Sequence, residues 1–282
     1  MFVSVLPAYA KLNLSLEVGE KRSDGFHPLS SVFVKISLHD TLLIRFHRFG
    51  KKRIRVFMNR LPADESNSMV KAASLYRKRF YPELSVTVYC RKRIPAGGGL
   101  GGGSSDAAAV LAALNRKYRK ADDSQLAEAA AEIGSDVPFF LSGSAAFVSG
   151  RGESVRPIPG RKKTYGVLLL PDYFSSTAAA YRMLDEAGAA KKVFRNPEDE
   201  IAAFYMPVSQ WPYDNDFLPV LERNVPEMHD AATAVRNLRP PFWNLSGSGS
   251  SLYALFENKQ ERNRFFHGFN EKNIQKKNFF LV

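Results

Sequence analysis

The chain has 282 residues, 45% of them hydrophobic and 24% charged, with a formal net charge of +12. That length suits one large globular domain or two of roughly 100–150 residues each. No run approaches the ~18–20 apolar residues of a membrane span, and a single cysteine, Cys90, excludes an internal disulfide and argues against a cysteine-built metal site. The start of the chain lacks the basic end and compact apolar core of a signal peptide, so the sequence reads as a reduced, cytoplasmic, soluble protein.

The positive balance admits a nucleic-acid partner, an anionic small substrate or a merely solvated basic surface. Basic residues fall in short groups at 45–55, 76–80, 90–95 and 160–163. Several alternate with apolar residues, which favours the solvated face of a strand.

In chain order, residues 10–18 alternate cleanly. Leu12, Leu14, Leu16 and Val18 share one face, and Lys11, Asn13, Ser15 and Glu17 the other, predicting a half-buried strand. Further strands are predicted at 39–46, 53–58 and 84–90. Residues 67–80 carry helical spacing, with Ser66 or Asn67 placed to cap it. Ser104, Ser105 and Asp106 supply capping residues for an alanine-rich helix over 107–114, and residues 122–134 form a second helix ended by Gly134. Pro138 biases Val137 towards an extended conformation. A strand, a turn and an exposed connector lead to about residue 163, and "TYGVLLLP" opens a buried strand. Helices follow at 176–187 and 220–236, then the strand "SLYALF", a polar helix and the closing "NFFLV". Residues 189–200 read as an exposed, mobile connection. Strands and helices mix without regular βαβ alternation, which gives an α+β class.

Residues 97–103, GGGLGGG, hold six glycines in seven positions before the alanine-rich helix. Such a turn exposes successive backbone N–H groups at the positive end of a helix, where phosphate oxygens bind. The G-x-x-x-x-G-K-[ST] pattern fails, because no Lys follows Gly103. A dinucleotide fingerprint is nominally met by Gly97, Gly99 and Gly102, but Asp122 and Asp123 open a helix where an acidic strand end is required.

"PAGGGLGGGSSDAA" resembles the second motif of the GHMP kinases. The doubled glycine form is similar to the branch that phosphorylates the 2-hydroxyl of 4-diphosphocytidyl-2-C-methyl-D-erythritol in the non-mevalonate isoprenoid route. Four other segments match that branch in order: "AKLNLSLEVGEKRSDGFH", "IGSDVPFF", "STAAAY" and "NLSGSGSSLYALF". The resemblance implies a two-domain α+β fold. Residues 1–160 would form an ATP-binding domain like the second domain of ribosomal protein S5, and residues 161–282 a ferredoxin-like domain.

Read alone, Lys11 and Asn13 are two strand residues about 7 Å apart on a polar face, Asp136 is a turn residue, and Phe26–His27 anchors a loop. The resemblance implies instead that Lys11 and Asp136 are catalytic, with Asp136 accepting the hydroxyl proton and Lys11 keeping it ionised. It implies that Asn13 orients substrate, that Phe26 and Tyr181 sandwich the cytosine while His27 reads its edge, and that Thr177 touches substrate. ATP would be held by Pro95, Ala96, Gly97, Gly98, Gly99, Leu100, Gly101, Gly102, Gly103, Ser104 and Ser105, with Asn67 and Lys92 near its base and ribose. Lys92 reads equally well as a solvated strand residue.

Many GHMP kinases place a magnesium-binding serine directly after G-L-G, where this chain has Gly102. The resemblance therefore assigns no metal ligand, and magnesium is expected as the counter-ion of ATP. The implied partners are two small anionic molecules, without membrane or nucleic acid, in a monomer or weak homodimer. Two rival readings stand beside this one: another GHMP kinase acting on a mevalonate-like or homoserine-like alcohol, and an RNA-binding module prompted by the charge.

Overall fold

The computed structural model describes residues 2–47, 53–59, 61–161, 164–174 and 176–282. Parts of two basic groups, residues 48–52 and 162–163, lie outside them. The first half of the chain comprises β1 (Phe2–Asn13), β2 (Glu17–Val18), β3 (Leu29–Phe46), β4 (Ile54–Met58), β5 (Leu61–Pro62), α1 (Ser68–Arg79), β6 (Val86–Arg91), α2 (Gly102–Tyr118), α3 (Asp123–Ile133) and α4 (Val137–Leu141). The second half comprises β7 (Ala145–Gly150), β8 (Ser154–Ile158), β9 (Tyr165–Pro171), α5 (Thr177–Glu186), α6 (Pro197–Phe204), α7 (Phe217–Asn224), α8 (Pro226–Asn237), β10 (Phe242–Leu245), β11 (Leu252–Phe256), α9 (Lys259–Gly268) and β12 (Ile274–Phe280). This is the α+β mixture that the sequence predicts.

Two compact units interleave along the chain. One holds Met1–Ala10, Leu38–Pro95 and Gly101–Ser142; the other holds Lys11–Ser37, Ala96–Leu100 and Gly143–Val282. In the first, β6 pairs parallel with β4 and antiparallel with the 41–46 part of β3. Alternate residues point into one core, Leu42, Ile44 and Phe46 from β3 and Val86, Val88 and Cys90 from β6. Against them α1 sets Met69, Ala72, Ala73 and Tyr76, the spacing of one helical face, and α2 sets Val110, Leu111 and Leu114. Asp122 caps α3 in a reciprocal box with Gln125.

In the second unit β2, the 29–34 part of β3, β7 and β8 form one antiparallel set. A separate antiparallel sheet has the order β10-β11-β9-β12. Its connections run strand, helices, strand, strand, helix, strand, which is the ferredoxin-like order. Val167, Leu168 and Leu169 in β9 are fully buried, so both faces of this sheet are covered.

Four expectations need correction. The 10–18 segment is not one half-buried strand. It breaks at 14–16, where Leu14 N donates to the Val32 carbonyl (2.8 Å) and Leu16 N to that of Asp214 (2.8 Å). Both of its faces are buried: Lys11, Asn13, Ser15 and Glu17 are 4%, 1%, 0% and 2% exposed. The helix expected at 220–236 is two helices, because Pro226 cannot donate to a preceding turn and holds Val225 extended. Val137 begins α4 with Pro138 in its first turn, where a proline's missing N–H costs nothing. Residues 189–200 are no loose connector: Lys191 N donates to the Val18 carbonyl (2.7 Å), and α6 starts at Pro197 with Asn196 as its cap.

Gly166 lies opposite Phe279 in the β9–β12 ladder, and a Cβ there would run into the Phe279 ring. Gly166→Ala is expected to destabilise the protein by about 1–3 kcal/mol through overpacking. Gly143→Ala, whose new Cβ would come no nearer than 4.0 Å to the Ala145 carbonyl oxygen, should leave thermal unfolding unchanged. Equal melting of the two variants would overturn this account.

Candidate active site

The first unit carries the start of α2. Its N-cap is Gly101, in the left-handed region at φ 68°, and no side chain caps it. The helix thus begins inside the glycine run. Ser104, Ser105 and Asp106, expected as caps, lie within the helix instead, with Ser105 N bonded to the Gly101 carbonyl at 2.9 Å. The first-turn N–H groups of Gly102, Gly103 and Ser104 have no intrahelical acceptor, and a helix start of this kind favours an anion. Ser68 Oγ donates to the Gly103 carbonyl (2.7 Å), tying the first turn of α2 to α1.

Asn67 caps α1: its Oδ1 accepts from Met69 N (2.9 Å). Lys92 is part-buried and paired. Its ammonium lies between Asp40 Oδ2 and Asp106 Oδ2, the latter at 2.7 Å. Asp40 is fully buried and its other oxygen accepts from the backbone N–H of Arg93 and of Ile94 (2.9 Å to the second). The two carboxylates thus pin the chain as it leaves β6 for the glycine run. Burial lifts the Asp106 carboxyl to about 6 against the pull of Lys92. Burial also works against the Lys92 ammonium, but the two carboxylates outweigh it and raise its value. Burial and the neighbouring Asp106 push the Cys90 thiol up to about 12, so it is inert. Asp136 is half-buried, at the N-terminal boundary of α4.

The second unit carries Ala96, Gly97, Gly98, Gly99 and Leu100, after Pro95 in the first. Here the glycines answer to close packing. A Cβ on Gly99, at φ 71°, would collide with the Ser246 carbonyl oxygen, and one on Gly97 with the Phe174 ring. Ser246 Oγ donates to the Gly99 carbonyl (3.0 Å), and Ser251 N to that of Gly98 (3.3 Å). The "SGSGSS" turn is therefore seated directly on the glycine run.

Leu100 accepts from Lys11 N at 3.0 Å. The Lys11 ammonium donates to Asn13 Oδ1 and lies 4.5 Å from the centre of the Phe33 ring. Asn13 Nδ2 donates to Ser31 Oγ (3.0 Å). His27 is buried, with Nδ1 at 2.8 Å from the Gly19 carbonyl and Nε2 at 3.3 Å from Asp185 Oδ1. The Tyr181 ring is 5.1 Å from His27 and edge-on to Phe217 at 4.9 Å. Phe26 is exposed, with the Arg151 guanidinium 5.0 Å from its ring centre. Thr177 Oγ1 accepts from Ser248 Oγ (3.1 Å) at the start of α5.

Within this unit the structure therefore brings Lys11 to Asn13 and to the glycine run, and His27 to Tyr181. Sequence reasoning missed Ser31, Asp40 and Phe217, took Asp106 for a cap, and reached Ser246 only through the "NLSGSGSS" turn. Each acts through a partner outside the local window, so spacing carried no signal for its role.

A model of the GHMP kinases N terminal domain matches residues 67–144, the stretch that holds α1, β6 and the glycine-rich entry into α2. The chain is 35% identical to the 4-diphosphocytidyl-2-C-methyl-D-erythritol kinase of Pseudomonas savastanoi pv. phaseolicola, over 92% of this chain and 86% of the relative. Identity to the enzyme of the same name from Thermodesulfovibrio yellowstonii is 35%, over 93% of this chain and 94% of that one. A crystal structure of a 4-(cytidine 5'-diphospho)-2C-methyl-D-erythritol kinase superposes with a TM-score of 0.80 at 30% identity, covering 98% of this chain and 99% of that one. The chain belongs to the 4-diphosphocytidyl-2-C-methyl-D-erythritol kinase family.

The raised Asp106 carboxyl has a consequence for stability. Its folded value of about 6 lies above the ordinary 3.8, so its contribution is complete below the ordinary value and is lost as pH rises through about 6. The melting temperature of the native protein minus that of Asp106→Asn should therefore fall between about pH 4 and pH 7. A difference that grows over that range in thermal unfolding would contradict the assignment.

Proposed function

We propose that this protein transfers the γ-phosphoryl group of ATP to the 2-hydroxyl of 4-diphosphocytidyl-2-C-methyl-D-erythritol, releasing ADP and the 2-phosphate. The uncapped start of α2 carries the phosphoryl-transfer part of this reading: Gly101 turns the chain so that bare N–H groups face outward for the ATP phosphates. The family carries the choice of alcohol. Residues 1–160 then serve as the ATP-binding domain and residues 161–282 as the partner domain.

Asp136 takes the hydroxyl proton as that oxygen attacks the γ-phosphorus and the bond to the β-phosphate oxygen breaks. Lys11 offsets charge on the attacking oxygen, and Asn13 orients the alcohol beside it. Tyr181, braced edge-on by Phe217, offers a face for the cytosine, with Phe26 across it. His27 has partners on both ring nitrogens, so reading the base edge requires Asp185 to give way. Thr177, on Ser248, flanks the substrate, and Pro95 to Ser105, Asn67 and Lys92 serve ATP. Lys92 does so from a fixed position, since two carboxylates hold it.

Magnesium enters as the counter-ion of ATP. Among the described residues no group of three or more His, Cys, Asp or Glu side chains is placed to hold a metal ion, and Gly102 offers no side-chain oxygen. Among the described residues no helix is long and apolar enough to cross a membrane, and two anionic small molecules suffice as partners.

ADP release tests this. With magnesium-ATP, turnover is expected with the cytidyl alcohol and not with mevalonate or homoserine. Lys11→Ala and Asp136→Asn should each lower kcat by roughly 10²–10⁴-fold. Turnover on another alcohol instead would discard the cytosine pocket, and full activity in either variant would discard that residue's role.

A further inference from the structure

Asn13 can present either end of its amide to Lys11, and the two ends have opposite effects. Oδ1 accepts from the ammonium, whereas the amino group would place donor against donor. The ammonium alone does not lock the choice, because a long lysine chain can move. The neighbour on the other side of the amide is Ser31, fully buried on β3.

A serine hydroxyl has one proton and two lone pairs. Ser31 gives its proton to the Ser15 carbonyl. With the proton committed, Ser31 Oγ can only accept, and the group it accepts from is Asn13 Nδ2 at 3.0 Å. The amide then has one orientation, amino group on Ser31 and oxygen on Lys11. The Ser15 carbonyl is itself held in place. It lies at the break between β1 and β2, where Ser15 Oγ accepts from Val32 N (3.0 Å) and donates to Glu200 Oε2 (2.6 Å). Proton direction is thereby set from the Ser15 carbonyl, which can only accept, through Ser31 to Asn13 and Lys11.

We propose that Ser31 is a positioning residue for phosphoryl transfer: it fixes the Asn13 amide so that its oxygen steadies the Lys11 ammonium. The proposal rests on the roles given above to Lys11 and Asn13. Ser31 need touch neither substrate; its effect passes through Asn13. A misaligned group at a reacting centre costs up to about 10²-fold in rate, so the effect belongs in kcat.

The experiment is a double-variant cycle on the full chain, with Ser31→Ala, Asn13→Ala and both together. Ser31→Ala should lower kcat roughly 10–100-fold while leaving the KM for ATP unchanged. It should add nothing in the Asn13→Ala background, and Ser31→Thr, which keeps the hydroxyl, should restore the rate. Independent losses in the two single variants, or a loss expressed wholly in the KM for ATP, would overturn the proposal. Should Ser31→Ala fail to fold, Ser31→Cys takes its place in the cycle. A readout without turnover separates this idea from the proposed reaction. In protein labelled with ¹⁵N-asparagine, the Asn13 side-chain NH₂ should exchange slowly in the native chain and in Ser31→Thr, and faster in Ser31→Ala. If no alcohol is phosphorylated, the reaction fails while this readout still decides the role of Ser31; an unchanged Asn13 signal in Ser31→Ala overturns it.

Discussion

A segment that buries its polar face must supply every group on that face with a partner, and residues 11–17 impose that demand on the second unit. Asn13 finds Ser31, and Ser15 finds Glu200 and Val32 N. Glu17 takes Lys191 at 2.7 Å and the backbone N–H of Arg195 at 2.8 Å. Arg195 in turn holds Asp214 (2.6 Å), and Lys191 also reaches Asp216 (3.2 Å). Residues far along the chain are thus drawn to one short segment by the cost of leaving buried polar atoms unpaired. Such pairs add little net stability over an apolar core, yet removing one member leaves the other stranded. Their value lies in placing Lys11 and Asn13 with little freedom to move.

The first unit solves a related problem differently. There two buried carboxylates, Asp40 and Asp106, share the part-buried Lys92, and the backbone takes part through Arg93 and Ile94. One consequence is geometric: the residues that precede the glycine run are held by a fully buried carboxylate. Another is electrostatic, since Asp106 on α2 keeps the Lys92 charge beside the start of that helix. The Asp106 Oδ1 atom has no hydrogen-bond partner among the described residues, in keeping with a carboxyl that burial drives towards its protonated form.

Periodicity made much of the fold legible. The helical spacing of Met69, Ala73 and Tyr76, and the strand patterns at 39–46 and 84–90, survive in α1, β3 and β6 because each describes one face meeting one core. What periodicity could not show was what covered the other face. Lys11, Asn13, Ser15 and Glu17 read as solvent-facing, since their partners lie elsewhere in the chain. Asp106 read as a cap for the same reason: its partner Lys92 was outside the local window. The glycine run was recognised as unusual, but its cause was only half visible. A phosphate is one reason for bare backbone; the Ser246 carbonyl pressed against Gly99 is another, and it stands 147 positions away.

That separation bears on when the turn can take shape during synthesis. The backbone of Gly98 and Gly99 is braced by Ser251 and Ser246, which are made long after it. Until the ribosome has released those serines, the run is an unsupported string of glycines with many conformations open to it. A nascent chain that stops short of β11 has the glycines but lacks the Ser251 contact that helps to hold their backbone. The run therefore gains its shape late, only after about 150 further residues have been made, as expected for contacts of long sequence separation.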